Sequence, residues 1–510
     1  MRTWNWCLLG LLLLTIAARA EQGTAPVFID TGGLTGSVVP GSPIRVFRGV
    51  PYAAPPVGRL RWRPPQPAPA WKGIRDCTRF GPSCPQPPAR IVPEQEGKQH
   101  EDCLYLNVWT AARQGDRRPV AVWIHGGGFS IGSGAQSVYD GRHFARNGVV
   151  VVSINYRLGP FGFLAHPALS AESPRGISGN YGLLDQVAAL QWVQRNIAAF
   201  GGDPRNVTIM GESAGAVSVG CLLTSPLSRG LFHRAILQSG VPAFETTLEQ
   251  AEATGSEIAG QLGSDDPAEL RARSAEALLA AADPRVGLFG RGRRLWPVVD
   301  GYVLPRPPME VFASGQHHDV PIMVGTNADE GTLFLRQLPI RRPVGYRMLV
   351  SRMFGDQADR VLEMFPARSA DEVRPALGHL ITVAVFVAPT RRLARALEAQ
   401  RSPVFVYHLS RVSPGGQRSG MGATHGVDVL YVFRTLPPGW TDEVDSRVSE
   451  TMHAAWVRFA NAGDPNGGGL PKWPSYTAAG DAHMQFGDRP RTRHGLWVRA
   501  CDVLDQVSAR

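Results

Sequence analysis

The strongest constraint on this chain is a nine-residue stretch, TIMGESAGA at 208–216. An apolar run enters a Gly-X-Ser-X-Gly, and a run of small residues leaves it. Residues 207–210 read as a strand and 214–223 as a helix, which puts Ser213 on the turn between them. Gly211 and Gly215 let the backbone close where a side chain would collide. A serine on so sharp a turn is forced into an unfavourable conformation, with its hydroxyl lifted above the sheet. The dipole of the helix that follows favours negative charge there. Gly-X-Ser-X-Gly alone marks a turn; a strand before it and a helix after it make Ser213 a candidate nucleophile.

Such a corner needs strands that alternate with helices, and the rest of the chain supplies them. Residues 120–124 (VAVWI) and 149–154 (VVVVSI) are continuous apolar runs, suited to strands buried on both faces of a parallel sheet. Residues 181–200 have helical spacing, with Leu184, Val187, Ala188, Leu190, Val193 and Ile197 on one face. GGDP at 201–204 ends that helix. Residues 235–237, 321–324 and 404–407 read as further strands. Residues 26–63 read as a β-rich opening and 51–70, rich in proline and arginine, as irregular surface. Residues 245–295 and 335–400 read as mainly helical and are expected to cover the ligand edge of the sheet. The alternation predicts an α/β layer architecture. No repeat or low-complexity linker divides the chain, so residues 21–510 are expected to form one domain.

Residues 1–20 stand apart. Arg2, the apolar run CLLGLLLLTIAA at 7–18 and the Ala18-Arg19-Ala20 site read as a secretory signal peptide. No later run of eighteen apolar residues is seen, so stable membrane insertion is not expected. The exported chain is expected outside the cytoplasm, secreted or, in a bacterium, periplasmic. The net charge of +10 comes from arginine, since Lys72, Lys98 and Lys472 are the only lysines. The basic residues are scattered, with small groups such as Arg291, Arg293 and Arg294, so no nucleic-acid partner is expected. Without Cys7 five cysteines remain, an odd number, so at least one is unpaired or pairs between chains. Cys221, on the helix after the serine, reads as a buried apolar residue.

A serine hydroxyl needs a base to take its proton, and the developing oxyanion needs fixed donors. HGGG at 125–128 follows a strand and has the form of a donor loop. The amides of Gly127 and Gly128, with that of Ala214, are the candidate three-donor oxyanion hole.

FRGVPY at 47–52, EDCLYLNV at 101–108, HGGGF at 125–129, NYGLLDQ at 180–186, FGGDP at 200–204 and GESAG at 211–215 stand in order. With these motifs the chain resembles the type-B carboxylesterases, the family of cholinesterases, liver-type carboxylesterases and bacterial esterases. The resemblance covers most of residues 26–500. It implies an α/β-hydrolase fold: a large, mostly parallel central sheet flanked by helices, with helical insertions over the active site. It also implies a downstream acid and histidine. GTNADEG at 325–331 matches the acid motif and carries that role onto Glu330, with Asp329 as local rival. THGVDV at 424–429 matches the histidine motif and gives His425. Glu212 and Asp428 match acidic positions that support the site. The resemblance further implies a disulfide between Cys84 and Cys103, with Cys77 the rival partner; Cys77 and Cys501 are a conceivable second pair.

The expected chemistry is acyl transfer: attack by Ser213 on a small-molecule ester, proton transfer through His425 oriented by Glu330, then hydrolysis of the acyl-enzyme. No metal or organic cofactor is required. Residues 85–99 lack the tryptophan with which cholinesterases hold a quaternary ammonium, which argues against choline esters. Asn206-Val-Thr208 is formally a glycosylation sequon but leads into the nucleophile strand, where a structural role is favoured. Two other functions compete: a lipase acting on acylglycerols, and a catalytically inactive relative serving as a binding protein. The natural substrate and oligomeric state are not legible.

Overall fold

The computed structural model describes residues 23–88 and 98–508. The leader 1–20, the middle of the 85–99 segment and the last two residues lie outside the described residues.

The opening of the chain forms β1 (Val27–Ile29), β2 (Gly32–Thr35), β3 (Ser37–Val38) and β4 (Arg45–Pro51). β5 (Ile74–Asp76) joins β1 and β2 in a small separate sheet. The central sheet continues with β6 (Tyr105–Thr110), β7 (Arg118–Ile124), β8 (Val150–Ile154), β9 (Gly202–Glu212) and β10 (Arg234–Gln238). It is completed by β11 (Ile322–Asn327), β12 (Val404–Leu409), β13 (Ala482–Phe486) and β14 (Pro490–His494). Its eleven strands run in the order β14-β13-β12-β11-β10-β9-β7-β8-β6-β4-β3. From β13 to β8 every neighbouring pair is parallel; β14 at one edge and β6, β4 and β3 at the other are antiparallel. The sequence order reverses around β7 and β9, and in sheets of this kind the ligand crevice opens where strand order reverses.

Side chains alternate across a strand, so each face of the sheet makes its own core. Val120, Val122, Ile124, Val152, Ile209, Leu237 and Val324 belong to one. Ala121, Trp123, Val151, Met210, Ile236, Met323 and Phe405 belong to the other. Each fully buried aliphatic side chain of this kind contributes about 1.5–3 kcal/mol relative to an exposed one. A third core lies within the helical region: Phe334, Tyr346, Val350, Leu377, Val383 and Phe386 pack together with Cys501 and Leu504.

Several local expectations are refined. The helix read over 181–200 is an α-helix at Tyr181–Asn196 that tightens into a 3-10 turn at Ile197–Phe200. Gly201, at φ 85°, closes it in the left-handed conformation. Its buried side includes Leu183, Asp185 and Gln186, while Leu184 and Ala188 are only half-buried. Asp185 is buried because Arg157 meets it with Nη2–Oδ1 at 2.7 Å and Nε–Oδ2 at 2.8 Å. The 51–70 segment is irregular, but Arg61 and Trp62 are buried rather than on the surface. Arg61 Nε donates to Glu101 Oε2 at 2.7 Å, and Trp62 Nε1 donates to the Pro160 carbonyl at 2.7 Å.

The helical stretch Ala370–Ala396 is long and apolar enough to span a bilayer, by length and composition, although it is not a continuous apolar run. Its most apolar window is 72% buried within the fold. The stretch widens into a π-turn at Thr382–Val387. The widening coincides with Pro389, which has no N–H to bond the carbonyl four residues back.

Cys84 and Cys103 form a disulfide. Cys77 and Cys501 are free and buried in different cores, so the second bridge considered between them is not made. Cys221 is likewise free and buried. Asn206 Nδ2 donates to the Asn461 carbonyl at 3.4 Å, and its side-chain oxygen accepts from Arg234.

Candidate active site

Ser213 stands between β9 and the helix Ala214–Thr224, at φ 55° and ψ −122°. This positive φ is strained for a residue with a Cβ. The corner is pinned on both sides: Ser213 N donates to the Gln238 carbonyl at 2.9 Å, and its own carbonyl accepts from Val217 at 2.9 Å. The flanking glycines are sterically required. A Cβ on Gly215 would overlap the Ile124 carbonyl, and one on Gly211 would press on the Gly215 backbone. Among the described residues the Ser213 side chain has no hydrogen-bond partner, so its hydroxyl is free to turn.

The HGGG loop lies directly against this corner. Gly127 has φ 106°, and a Cβ there would overlap the Ile131 carbonyl. A Cβ on Gly126 would fall 2.8 Å from both the backbone and the side-chain oxygen of Glu212. His125 anchors the loop: its ring stacks on Tyr156 at 4.5 Å, and Nδ1 lies 2.8 Å from the Gly126 carbonyl. That carbonyl can only accept, so Nδ1 carries the proton. Burial lowers the His125 pKa to about 4, which keeps the ring neutral. Among the described residues the amides of Gly127, Gly128 and Ala214 donate to no protein group, and all three residues line the same cavity as Ser213.

Glu330 follows β11 at the start of a 3-10 helix, Glu330–Gln337, and is fully buried. Its Oε2 meets His425 Nδ1 at 2.6 Å. Its Oε1 accepts from Asn327 N at 2.7 Å and from Ser239 Oγ at 2.5 Å. Asp329 faces elsewhere: it accepts from Ala423 N at 2.7 Å and so holds the loop that carries His425. Phe334 and Phe386 close on the imidazole from the side, with ring centroids 5.2 and 4.8 Å away.

The other imidazole nitrogen, Nε2, lies 3.1 Å from Glu212 Oε1. The alignment is too poor for a hydrogen bond, and Glu212 Oε1 is left buried without one. The hydrogen bond from Ser213 to His425 that a proton relay requires is not formed in this structure. Burial raises the Glu212 pKa to about 8, against the pull of the imidazolium. Burial lowers that of His425, but the charges of Glu212 and Glu330 outweigh it and raise the pKa to about 9. The two groups titrate as a coupled pair, because a neutral Glu212 removes part of what lifts the imidazole. Glu330, through its charge and its hydrogen bond to Nδ1, adds to the upward pull.

Asp428 is buried one turn beyond His425. It accepts from Tyr407 Oη at 2.7 Å, Gln238 Nε2 at 2.9 Å and Asn327 Nδ2 at 3.2 Å. Four carboxylates thus surround the site, and three of them are tied by hydrogen bonds to fixed partners. Sequence reasoning missed Ser239, Gln238 and Asn327. The available signal was a polar pair, Gln238-Ser239, directly before a glycine at the end of an apolar strand. Ser213, His425, Gly127, Gly128 and Ala214 all line a single cavity of about 910 Å³.

This arrangement on a mostly parallel eleven-stranded sheet defines an α/β-hydrolase. The chain belongs to the carboxylesterase family, whose sequence profile matches residues 24–504. It is a carboxylic ester hydrolase of that family. The chain is 42% identical to fumonisin B1 esterase of Sphingopyxis macrogoltabida, over 98% of this chain and 93% of that protein. It is 37% identical to phenmedipham hydrolase of Pseudarthrobacter oxydans, over 91% of this chain and 96% of that one. Among solved structures, a PNB esterase superposes with a TM-score of 0.81 at 34% identity, covering 94% of this chain and 99% of its own.

Proposed function

We propose that the protein is an exported serine esterase that works through a Ser213–His425–Glu330 triad and an acyl-enzyme intermediate. The observation that carries the reading is the 2.6 Å contact of Glu330 with His425 Nδ1, in the cavity that Ser213 lines from its strained corner. With Nδ1 donating to Glu330, Nε2 is left as the base. Rotation of the unpartnered Ser213 hydroxyl toward Nε2 would complete the relay, and such bonds often tighten only with substrate bound. Nε2 takes the Ser213 proton as Oγ attacks the ester carbonyl. The amides of Gly127, Gly128 and Ala214 receive the oxyanion. The C–O bond breaks as the imidazolium returns the proton to the departing alcohol. Water then adds its hydroxyl to the acyl carbon, Oγ leaves with a proton, and a carboxylic acid is released. Export rests on the leader read in residues 1–20.

Rapid mixing with 4-nitrophenyl acetate tests the intermediate. A burst of one nitrophenolate per active site is expected when deacylation is the slower step. Covalent acetyl on Ser213, trapped by acid quench and found by mass spectrometry, is expected whichever step is slower; its absence during turnover contradicts the mechanism. A series of acyl chain lengths separates an esterase from a lipase: turnover that rises on emulsified long-chain acylglycerols favours the latter.

A further inference from the structure

The cavity wall is strongly positive. Arg285, Arg294, Arg336 and Arg392 line it, whereas Glu212 is the one acidic side chain among its described lining residues. Not all four arginines are free. Arg392 is paired with Asp505, Nη1–Oδ1 at 3.3 Å, and Arg285 Nε donates to the Gly292 carbonyl at 3.3 Å. Arg294 and Arg336 have neither a carboxylate partner nor a hydrogen bond among the described residues. By contrast Arg293, half-buried, pairs with Glu257 at 3.5 Å, and Arg391, buried, pairs with Asp481. Arg294 and Arg336 are thus exposed guanidiniums that line the cavity without a counter-charge.

One of the two free guanidiniums, that of Arg294, rests on a fixed support, and the other projects from a fixed backbone. Arg294 lies over the Trp296 ring, 4.1 Å from its centroid. Trp296 is itself fixed by a 3.1 Å bond from Nε1 to Thr246 Oγ1 and by packing on Phe244 at 5.3 Å. Arg336 belongs to the same 3-10 helix that presents Glu330 and Phe334 to His425. Although Arg294 keeps contact with solvent, enclosure and the like charge of Arg285 both lower its pKa. An anion between them would relieve both effects. A guanidinium presents a planar fork of donors that matches a carboxylate.

Resting on the esterase reading above, we infer that the cavity selects esters bearing a second, free carboxylate, which Arg294 and Arg336 bind while the ester carbonyl faces Ser213. Arg285 adds to the field without being required as a direct partner. Neutral esters remain substrates but lose this contact.

Paired substrates that differ only in that charge test the inference. Mono-4-nitrophenyl adipate against its methyl ester places the carboxylate on the acyl side. 4-Acetoxybenzoate against methyl 4-acetoxybenzoate places it on the alcohol side. After correction for uncatalysed rates, the anionic member of at least one pair is expected to have a kcat/KM about ten-fold higher, as one charge-assisted contact provides. The arm with the preference identifies which side of the ester bears the carboxylate. The ratio should fall with added salt. In Arg294→Gln/Arg336→Gln it should fall toward one, mainly through KM; Arg294→Lys/Arg336→Lys should retain part of it. A ratio at or below one on both arms in the parent enzyme overturns the inference, as does a ratio that the Gln variant leaves unmoved. Failure to hydrolyse any of the four esters would instead count against the esterase reading.

Discussion

At the Ser213 corner the chain has almost no latitude. Gly126, Gly127, Gly211 and Gly215 each sit where a Cβ would collide with neighbouring atoms, backbone among them, and Ser213 holds a positive φ between β9 and the helix that follows it. Across the cavity, the wall formed by residues 285–296 and 384–392 is made of side chains on loops and helices. Much of its support comes from a core of its own, centred on Phe334, Leu377 and Phe386. The first region fixes where a carbonyl can react. The second fixes which molecule can bring a carbonyl there. Changes at the corner should therefore act on all esters alike, and changes in the wall should act on the ratios between them.

The largest effect is expected from Ser213→Ala, which should lower kcat on any activated ester by a factor on the order of 10⁶. Its melting temperature should hold or rise, since only a hydroxyl is removed. Unequal losses across a panel of esters would break the comparison. Glu330→Gln keeps the shape of the site but no longer fixes the tautomer, so a loss of about 10⁴-fold in kcat is expected. In the wall, Val385→Trp should fill part of the cavity. It should lower kcat/KM for a dodecanoate ester by about ten-fold or more relative to a butyrate, and a uniform loss would show that the wall also sets the chemistry.

The pH profile sharpens the account of the corner. Only the neutral imidazole acts as base, so kcat/KM should rise as pH climbs through the raised pKa of His425, about 9. Glu212→Gln removes a carboxylate that lifts it, so the rise should move to lower pH; an unmoved profile would show that Glu212 does not act on His425. Outside both regions, Cys84→Ala/Cys103→Ala should lower stability by about 3 kcal/mol in the chain-entropy model. Thermal unfolding with a parallel activity assay measures it, and little change in kcat is expected.

The corner was legible in the sequence because its requirements are local. Apolar strand, Gly-X-Ser-X-Gly and small-residue helix lie within about twenty consecutive positions, and the GGG loop has its own composition. Glu330 and His425 could be reached only through motif resemblance, since nothing local says that positions 330 and 425 meet. Ser239 and Gln238 were missed because their partners, Glu330 and Asp428, come from the 3-10 helix after β11 and from the helix Val427–Phe433, both distant in sequence. The wall was least legible. Arg285, Arg294, Arg336 and Arg392 read as scattered basic residues along the chain, and only the folding of three separate segments around one cavity turns them into a charged wall. The Ala370–Ala396 helix shows the same limit: how its apolar faces are covered depends on packing partners distant in sequence.

Reaction with a fluorophosphonate followed by peptide mapping tests the central claim most directly. The account predicts one equivalent of phosphonyl group per chain, located on Ser213, with esterase activity lost in proportion. Complete inactivation with the label on another residue, or full activity with Ser213 quantitatively modified, would contradict it.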